Sequence, residues 1–495
     1  MAPKARRIET AERQPPANLE LCRTGVYALL PLCWPKKAPA VPANPAQTPA
    51  WLSFLRRYLG GELPRGPALL IAAVASLHAV LLVRGILAPE SILNYDRGRD
   101  RLNMAVRLID AVRHGDAWTT LGQQTVIGDY LPHALMYALA GGWLPGVPFL
   151  QLAIHLWALR ELYRLANRAG ATPAQAWWSV ATWAAIPIDL CVPHHMASES
   201  VFLPLVIASM RQAADAAFAP SQKERDRGAL MAGLWTALAT LCRPEWQLPA
   251  LAVAAAVAVY ALRGGLQRLW SAGLRFAAPF ALVVGAWLLV FHAASGQWGF
   301  GAAGVDLRAT VAVRVQEIVA YSGQPLAPGE DPGALQTWVS HSLSAPQTAL
   351  RVAISHMAKF VALPENLDIP AYFGLYERTG VRAVRLEQLG FVGAAVATLR
   401  EMPVLTSWLL FEIALFLWYW TFVMRGGALI WRERSDTRLF HLALWAIVLL
   451  YVGERFLMEG GSRKRTPIDM ILALAAGYWL GRRALGNRPE ESRSP

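Results

Sequence analysis

Charged side chains are scarce in this sequence. They make up 16% of its 495 residues, where a soluble protein carries about one-quarter, so a water-soluble globular domain of this length is excluded. Cysteine is scarcer still. Cys22, Cys33, Cys191 and Cys242 are scattered, with neither metal-ligand spacing nor a paired pattern. That excludes a disulfide scaffold, and the two beside apolar runs read as small packing residues. No Walker loop, Gly-rich dinucleotide turn or Asp-x-Asp word stands in a convincing place, which argues against nucleotide-sugar chemistry. No internal repeat is visible, which weighs against an inverted-repeat transporter.

What the chain does have is apolar length. Hydrophobic residues make up 55% of it, 20 of them tryptophan, and apolar runs of about 17 to 25 residues recur, enough to cross a bilayer as helices. The net charge of +13 suggests a nucleic-acid partner at first sight. The arginines, however, fall mainly in short segments between apolar runs, the pattern left by retention of positive charge in the cytoplasm. No nucleic-acid partner is expected, and the membrane is.

Residues 1–50 are rich in Pro, Ala and Arg and read as a disordered cytoplasmic tail. The short apolar patch at 26–34 cannot span and lacks a clean basic start, so no signal peptide is expected. A first span at 67–88 places an acidic loop outside. Arg160, Arg164 and Arg168 then decide between one span and two: a single span at 147–166 leaves all three cytoplasmic, with 131–143 a juxtamembrane helix still outside. Further spans are expected at 173–192, 200–218, 228–242, 247–262, 271–294, 404–424, 439–457 and 467–480, with 223–227 a charged inner turn. The expectation is an all-α polytopic membrane protein of about ten transmembrane helices, multi-pass in the cell inner (plasma) membrane. Its parts are an N-terminal module at 51–294 with its first outer loop at 89–146, a large extracytoplasmic loop domain at 295–403, a C-terminal module at 404–484 and a cytoplasmic tail at 485–495.

Four polar clusters interrupt the apolar chain, all on the outer face in this topology, and charge at a membrane boundary is costly unless paired or used. The first is the loop at 90–132, which holds Glu90, Asp96, Asp100, Asp110, Asp116 and Asp129. Leu102, Ala105, Val106, Leu108, Ile109 and Val112 make one apolar stripe of an amphipathic helix at the membrane surface. The plain reading of Asp96 and Asp100 is favourable charge at that helix's amino end. The second cluster is His194, His195, Ser198 and Glu199. The two histidines can coordinate a divalent metal with Glu199 or a loop carboxylate, or simply form an interfacial polar turn, and Ser198 reads plainly as a helix N-cap. The third, Arg243-Pro244-Glu245, reads plainly as a local ion pair. The fourth runs from Glu454 and Arg455 to Arg463, Lys464 and Arg465, just before Pro467. A basic cluster on the outer face needs a reason, and an anionic phosphate headgroup is one; the competing reading is a topology shifted by one span.

The order of these features resembles the GT-C glycosyltransferases, polytopic enzymes that take sugar from a polyprenyl-phosphate donor, similar to protein O-mannosyltransferases and lipid A aminoarabinose transferases. The resemblance lies in an apolar span followed by Tyr95-Asp96, the amphipathic helix, His114-Gly115-Asp116 and Asp129-Tyr130-Leu131-Pro132. It continues in Ser198-Glu199 at the mouth of a span, in Arg243-Pro244, and in the late Arg-rich turn before a Pro-led last span. It covers roughly residues 67–483. It implies a catalytic carboxylate at Asp96, with Asp100 and Glu199 the other candidates, and donor-phosphate contacts from Arg243, Arg455, Arg463 and Arg465. It implies inverting transfer of a hexose or pentose from a lipid-linked donor to a lipid, glycan or protein acceptor on the outer face, with a divalent metal on His194 and His195 the one cofactor to consider. The competing functions are a lipid-linked sugar flippase or transporter, and a non-catalytic assembly subunit of a cell-envelope polysaccharide system.

Overall fold

A computed structural model describes residues 63–94, 98–116, 120, 127–300, 303–362, 396, 400, 403–433, 437–457 and 466–485. Among these the secondary structure is helical throughout, with no strand. In chain order the α-helices are α1 (Arg65–Leu87), α2 (Gly98–His114), α3 (Ile127–Leu139), α4 (Gly146–Arg168), α5 (Pro173–Ala184), α6 (Pro187–Cys191), α7 (Glu199–Phe218), α8 (Gln222–Cys242), α9 (Gln247–Leu262), α10 (Leu266–Ser295), α11 (Ala303–Ser322), α12 (Leu335–Ser344), α13 (Pro346–Ala362), α14 (Pro403–Glu433), α15 (Arg438–Leu457) and α16 (Thr466–Leu485). Short 3-10 turns at Pro89–Leu93, Val192–His194 and Pro244–Trp246 join some of them.

Each apolar run expected to span falls within one of these helices or, in one case, a broken set of them. Four helical stretches among the described residues are long and apolar enough to cross a bilayer unaided: Arg65–Leu87, Glu199–Phe218, Leu266–Ser295 and Leu410–Glu433. The others fall short for a physical reason. α9 has 16 residues, and α4 spends its length on Gln151, His155, Glu161 and Arg164. The longest apolar helices also show what covers them. α1 buries only Pro67, Ile71, His78, Leu81 and Gly85, a single stripe at helical spacing, while Leu69, Val80, Val83 and Leu87 point outward. α10 likewise exposes Leu266, Trp270, Leu274, Leu282 and Leu289. Apolar surface of that extent on full-length helices belongs in hydrocarbon.

The core is built by α4, α5, α7, α8, α9, α14, α15 and α16, around fully buried Trp177, Trp183, Phe202, Trp246, Phe440, Tyr451 and Tyr478. Small residues let the backbones close up, as is usual where lipid removes the hydrophobic drive between helices. A Cβ on Gly477 would strike Ser179, and one on Gly481 would strike Gln175. Polar links run along the same seam: Gln175 Nε2 donates to the Tyr478 carbonyl at 3.2 Å. Gly477→Leu is expected to lower stability by about 1–3 kcal/mol or more, as overpacking does, read as a drop in melting temperature in detergent. A wild-type melting temperature would mean that α5 and α16 are not in close contact.

Two expected elements differ. The run at 173–192 is not one helix: α5 ends at Ala184, Ile186 is extended (φ −66°, ψ 122°), and α6 starts at Pro187. Proline has no N–H to continue the ladder and disfavours helical geometry in the residue before it. Irregular backbone among packed helices needs protein around it to satisfy its polar groups, and residues 188–200 are buried without a gap. The charged stretch 223–227 is not a turn either. Ser221 accepts from the Glu224 N–H and Glu224 bonds back to the Ser221 N–H, a capping box that starts α8 at Gln222.

Candidate functional site

The break after α5 folds residues 186–198 back among the helices, and this segment carries the site. Its 3-10 turn at Val192–His194 packs on α4 and α1. Met196 is held at both ends: its N–H donates to the Ile92 carbonyl at 3.2 Å, and Arg101 Nη1 donates to its carbonyl at 3.1 Å. Arg101 is buried although it sits on the amphipathic α2. α2 is thus pinned, one residue past Asp100, to the segment that leads into α7.

At the start of α7, Glu199 is fully buried and Arg243 nearly so. Arg243 Nη2 bonds to Glu199 Oε1 as an ion pair and donates to Ser198 Oγ at 3.0 Å. Ser198 Oγ donates in turn to Glu199 Oε2 at 3.1 Å. The Arg243 guanidinium lies 5.3 Å from the centroid of the Phe202 ring, a cation–π distance. Serine, carboxylate, arginine and aromatic face form one assembly, with its parts drawn from α7 and from the end of α8. Ser198 stands at the N-cap position of α7, but its backbone is helical and its hydroxyl makes no capping bond.

Behind this assembly lies a band of buried polar side chains. His78 Nδ1 and His194 Nε2 are 2.7 Å apart, one donating and the other accepting. The ring of His155 stacks on Trp183 at 4.8 Å and lies 6.0 Å from His78. Gln151 Nε2 donates to Ser200 Oγ at 2.9 Å and lies 3.3 Å from His133 Nε2. His195 Nδ1 meets the Cys191 carbonyl at 3.0 Å. His194 and His195 thus turn to different partners. Among the described residues no three His, Cys, Asp or Glu side chains gather as an ion would need. Asp96, a loop carboxylate that could join the two histidines, lies outside the described residues.

The outer wall comes from α2 and α3, which pack on each other through Ala105, Leu108 and Ala134. The apolar stripe read from α2 is split by this contact: Ala105 and Leu108 turn inward while Val112 stays 65% exposed. α3 reaches the end of α8 closely enough that only glycine fits at 128, where a Cβ would sit about 2.5 Å from the Cys242 nitrogen and the Leu241 carbonyl carbon. Cys242 Sγ donates to the Gly128 carbonyl at 3.0 Å. Gly128→Val is expected to push α3 away from the Arg243 end of α8. A lower melting temperature in detergent would show that α3 and α8 close on each other here; a wild-type melting temperature would show that they do not.

The structure brings Glu199, Arg243, His194 and His195 into one buried region. Asp100 lies outside it, exposed in the first turn of α2. Asp96, Arg463 and Arg465 lie outside the described residues, as does the side chain of Arg455. Sequence reading missed Arg101, His78, His155, His133 and Gln151. The signal for His78 and His155 was present, since an ionisable side chain within an apolar run is costly unless it has partners. Buried Glu412 and Asp469, on α14 and α16, carried the same signal. No family model and no curated protein matches this chain.

Proposed function

We propose that this protein is a membrane glycosyltransferase of GT-C type, moving a sugar from a polyprenyl-phosphate donor to an acceptor hydroxyl on the outer face of the inner membrane, with about ten spans in all. The observation that carries this reading is the Ser198–Glu199–Arg243 assembly, buried at the mouth of an apolar bundle beneath an amphipathic helix pair. A carboxylate, proposed to be Asp96, takes the proton of the acceptor hydroxyl. The hydroxyl oxygen attacks the anomeric carbon, and the bond from that carbon to the phosphate oxygen breaks, its electron pair leaving on the lipid phosphate. A single displacement inverts the anomeric centre. Arginine contributes by stabilising the charge that grows on the departing phosphate. Arg243 carries a rigid fork of N–H donors, and Glu199 orients it. Arg455, Arg463 and Arg465 are proposed for the same headgroup.

The test is transfer by the purified protein in proteoliposomes, using a panel of radiolabelled polyprenyl-phosphate sugars. Enzymatic action releases free polyprenyl phosphate in step with product. A second reading is favoured by Asp189, Glu412 and Asp469, carboxylate residues fully buried in or beside apolar helices, which suit a transporter that grips a headgroup without reacting it. Movement of the intact donor across the bilayer, without release of polyprenyl phosphate, would replace the first reading by the second.

Orientation has its own test. Asp116 and Gln222 are both exposed, and the charge rule places the first outside and the second inside. In a cysteine-free background, Asp116→Cys is expected to react with an impermeant maleimide in intact cells, and Gln222→Cys only after permeabilisation. The reverse pattern would overturn the proposed outer-face site.

A further inference from the structure

At the end of the bundle that carries the arginine-rich turns, α4, α7 and α8 enclose a cavity of about 400 Å³. Arg164 and Arg168 on α4, Arg211 on α7 and Arg227 on α8 line it. Arg211 is the inner member of a chain of ion pairs: it bonds Glu161 at 3.3 Å and Asp215 at 2.8 Å. Each carboxylate holds a second arginine, Arg164 on Glu161 at 3.1 Å and Arg168 on Asp215 at 3.0 Å. Three guanidinium groups thus share two carboxylates, and the surplus positive charge falls on the outer pair, whose side chains are each 40% exposed. Next to it, a hollow of about 410 Å³ is lined by Arg164, Asn167, Arg168 and Arg211. On the other side, toward the middle of the helices, the lining is aromatic: Trp157 and Trp235 pack with ring centroids 5.8 Å apart. Trp157 lies seven residues before Arg164, about 10 Å along the helix.

We infer that this cavity binds the phosphate headgroup of an anionic phospholipid from the cytoplasmic leaflet, on Arg164 and Arg168, with an acyl chain running over Trp157 and Trp235. Arg164 and Arg168 are one turn apart on one helix face, so one phosphate can accept from both. Arg211, paired with both carboxylates, keeps them partly engaged and leaves the surplus charge on the outer pair. A soluble phosphate would use the same arginines, but it would have no use for the apolar wall. Basic pockets between spans on the cytoplasmic side are known lipid headgroup sites. The inference does not rest on the chemistry proposed for the outer face, and its test involves no sugar transfer.

The full-length protein is reconstituted in bilayers of equal parts phosphatidylcholine and phosphatidic acid, re-extracted in mild detergent, and its retained lipids are counted by native mass spectrometry. Wild type is expected to retain phosphatidic acid over phosphatidylcholine. Arg164→Gln with Arg168→Gln loses two charge-assisted contacts and is expected to lower retention at least about tenfold. Arg227→Gln, exposed and apart from the buried ion pairs, is expected to lower it less, and it decides the matter if the double variant does not fold. Glu224→Gln removes a negative charge from the lining and is expected to raise retention. Equal retention of the two lipids by wild type, or full retention by the arginine variants, overturns the inference. So does displacement of the lipid by inorganic phosphate or glycerol phosphate at matching concentration, which would make this a site for a soluble anion.

Discussion

Arg243→Gln is expected to destabilise the protein by about 3–5 kcal/mol, the cost of leaving a buried charge without its partner, and to abolish transfer. The reason is local. Glu199 is fully buried, and Arg243 is its ion-pair partner as well as a donor to Ser198. Glutamine can hydrogen-bond but brings no charge. Arg243→Lys keeps the charge and loses the fork that contacts both residues, so it should melt between wild type and Arg243→Gln. The double variant Glu199→Gln with Arg243→Gln separates stability from function. Two neutral amides can bond to each other and to Ser198, so most of the lost melting temperature should return, while transfer stays absent. If Arg243→Gln melts like wild type, the pair does not hold the start of α7. If the double variant transfers sugar at the wild-type rate, the pair is not part of the site.

The helices were legible in the sequence because apolar length is a strong signal. α1 stops just before Pro89, and α4 and α10 stop just before Gly170 and Gly296, both at positive φ. The number of crossings is a different matter. α4 carries Gln151, His155 and Glu161 on its buried face, so its mean apolarity is diluted by the groups that make it interesting. The reading of 173–192 as one span passed over the break that Pro187 signals, and the reading of 223–227 as a turn passed over the capping spacing of Ser221 and Glu224.

The site was legible only where it is local. Ser198 and Glu199 are adjacent and stand out at the mouth of a span. The partner of Glu199 is not local: Arg243 lies 44 residues away, and the neighbouring Glu245 offered a nearer pairing. The contact from Arg101 to Met196 spans 95 residues, and that from His78 to His194 spans 116. One sequence carries no record of such pairings, because they are made by helix packing and not by spacing along the chain.

Asp96→Asn is expected to leave the protein folded and to lower transfer by about 10² or more, the usual contribution of a general base. The amide keeps the shape of the carboxylate and cannot accept the proton of the acceptor hydroxyl. Asp96 is chosen because it follows Tyr95 at the start of the loop, where the resemblance to GT-C enzymes places the base. Asp100, four residues on, is exposed in the first turn of α2, where a negative charge stabilises a helix by only about 0.3–1 kcal/mol. Asp100→Asn should therefore transfer sugar at close to the wild-type rate and melt within a few degrees of wild type. Initial rates in proteoliposomes, measured at saturating donor, give the comparison directly. An active Asp96→Asn beside a dead Asp100→Asn would move the base to the first turn of α2, next to the Arg101 that ties this helix to Met196. If both single variants and the double variant keep full rates, neither carboxylate accepts the proton, and the transporter reading of the buried Asp189, Glu412 and Asp469 gains the ground that the enzyme loses.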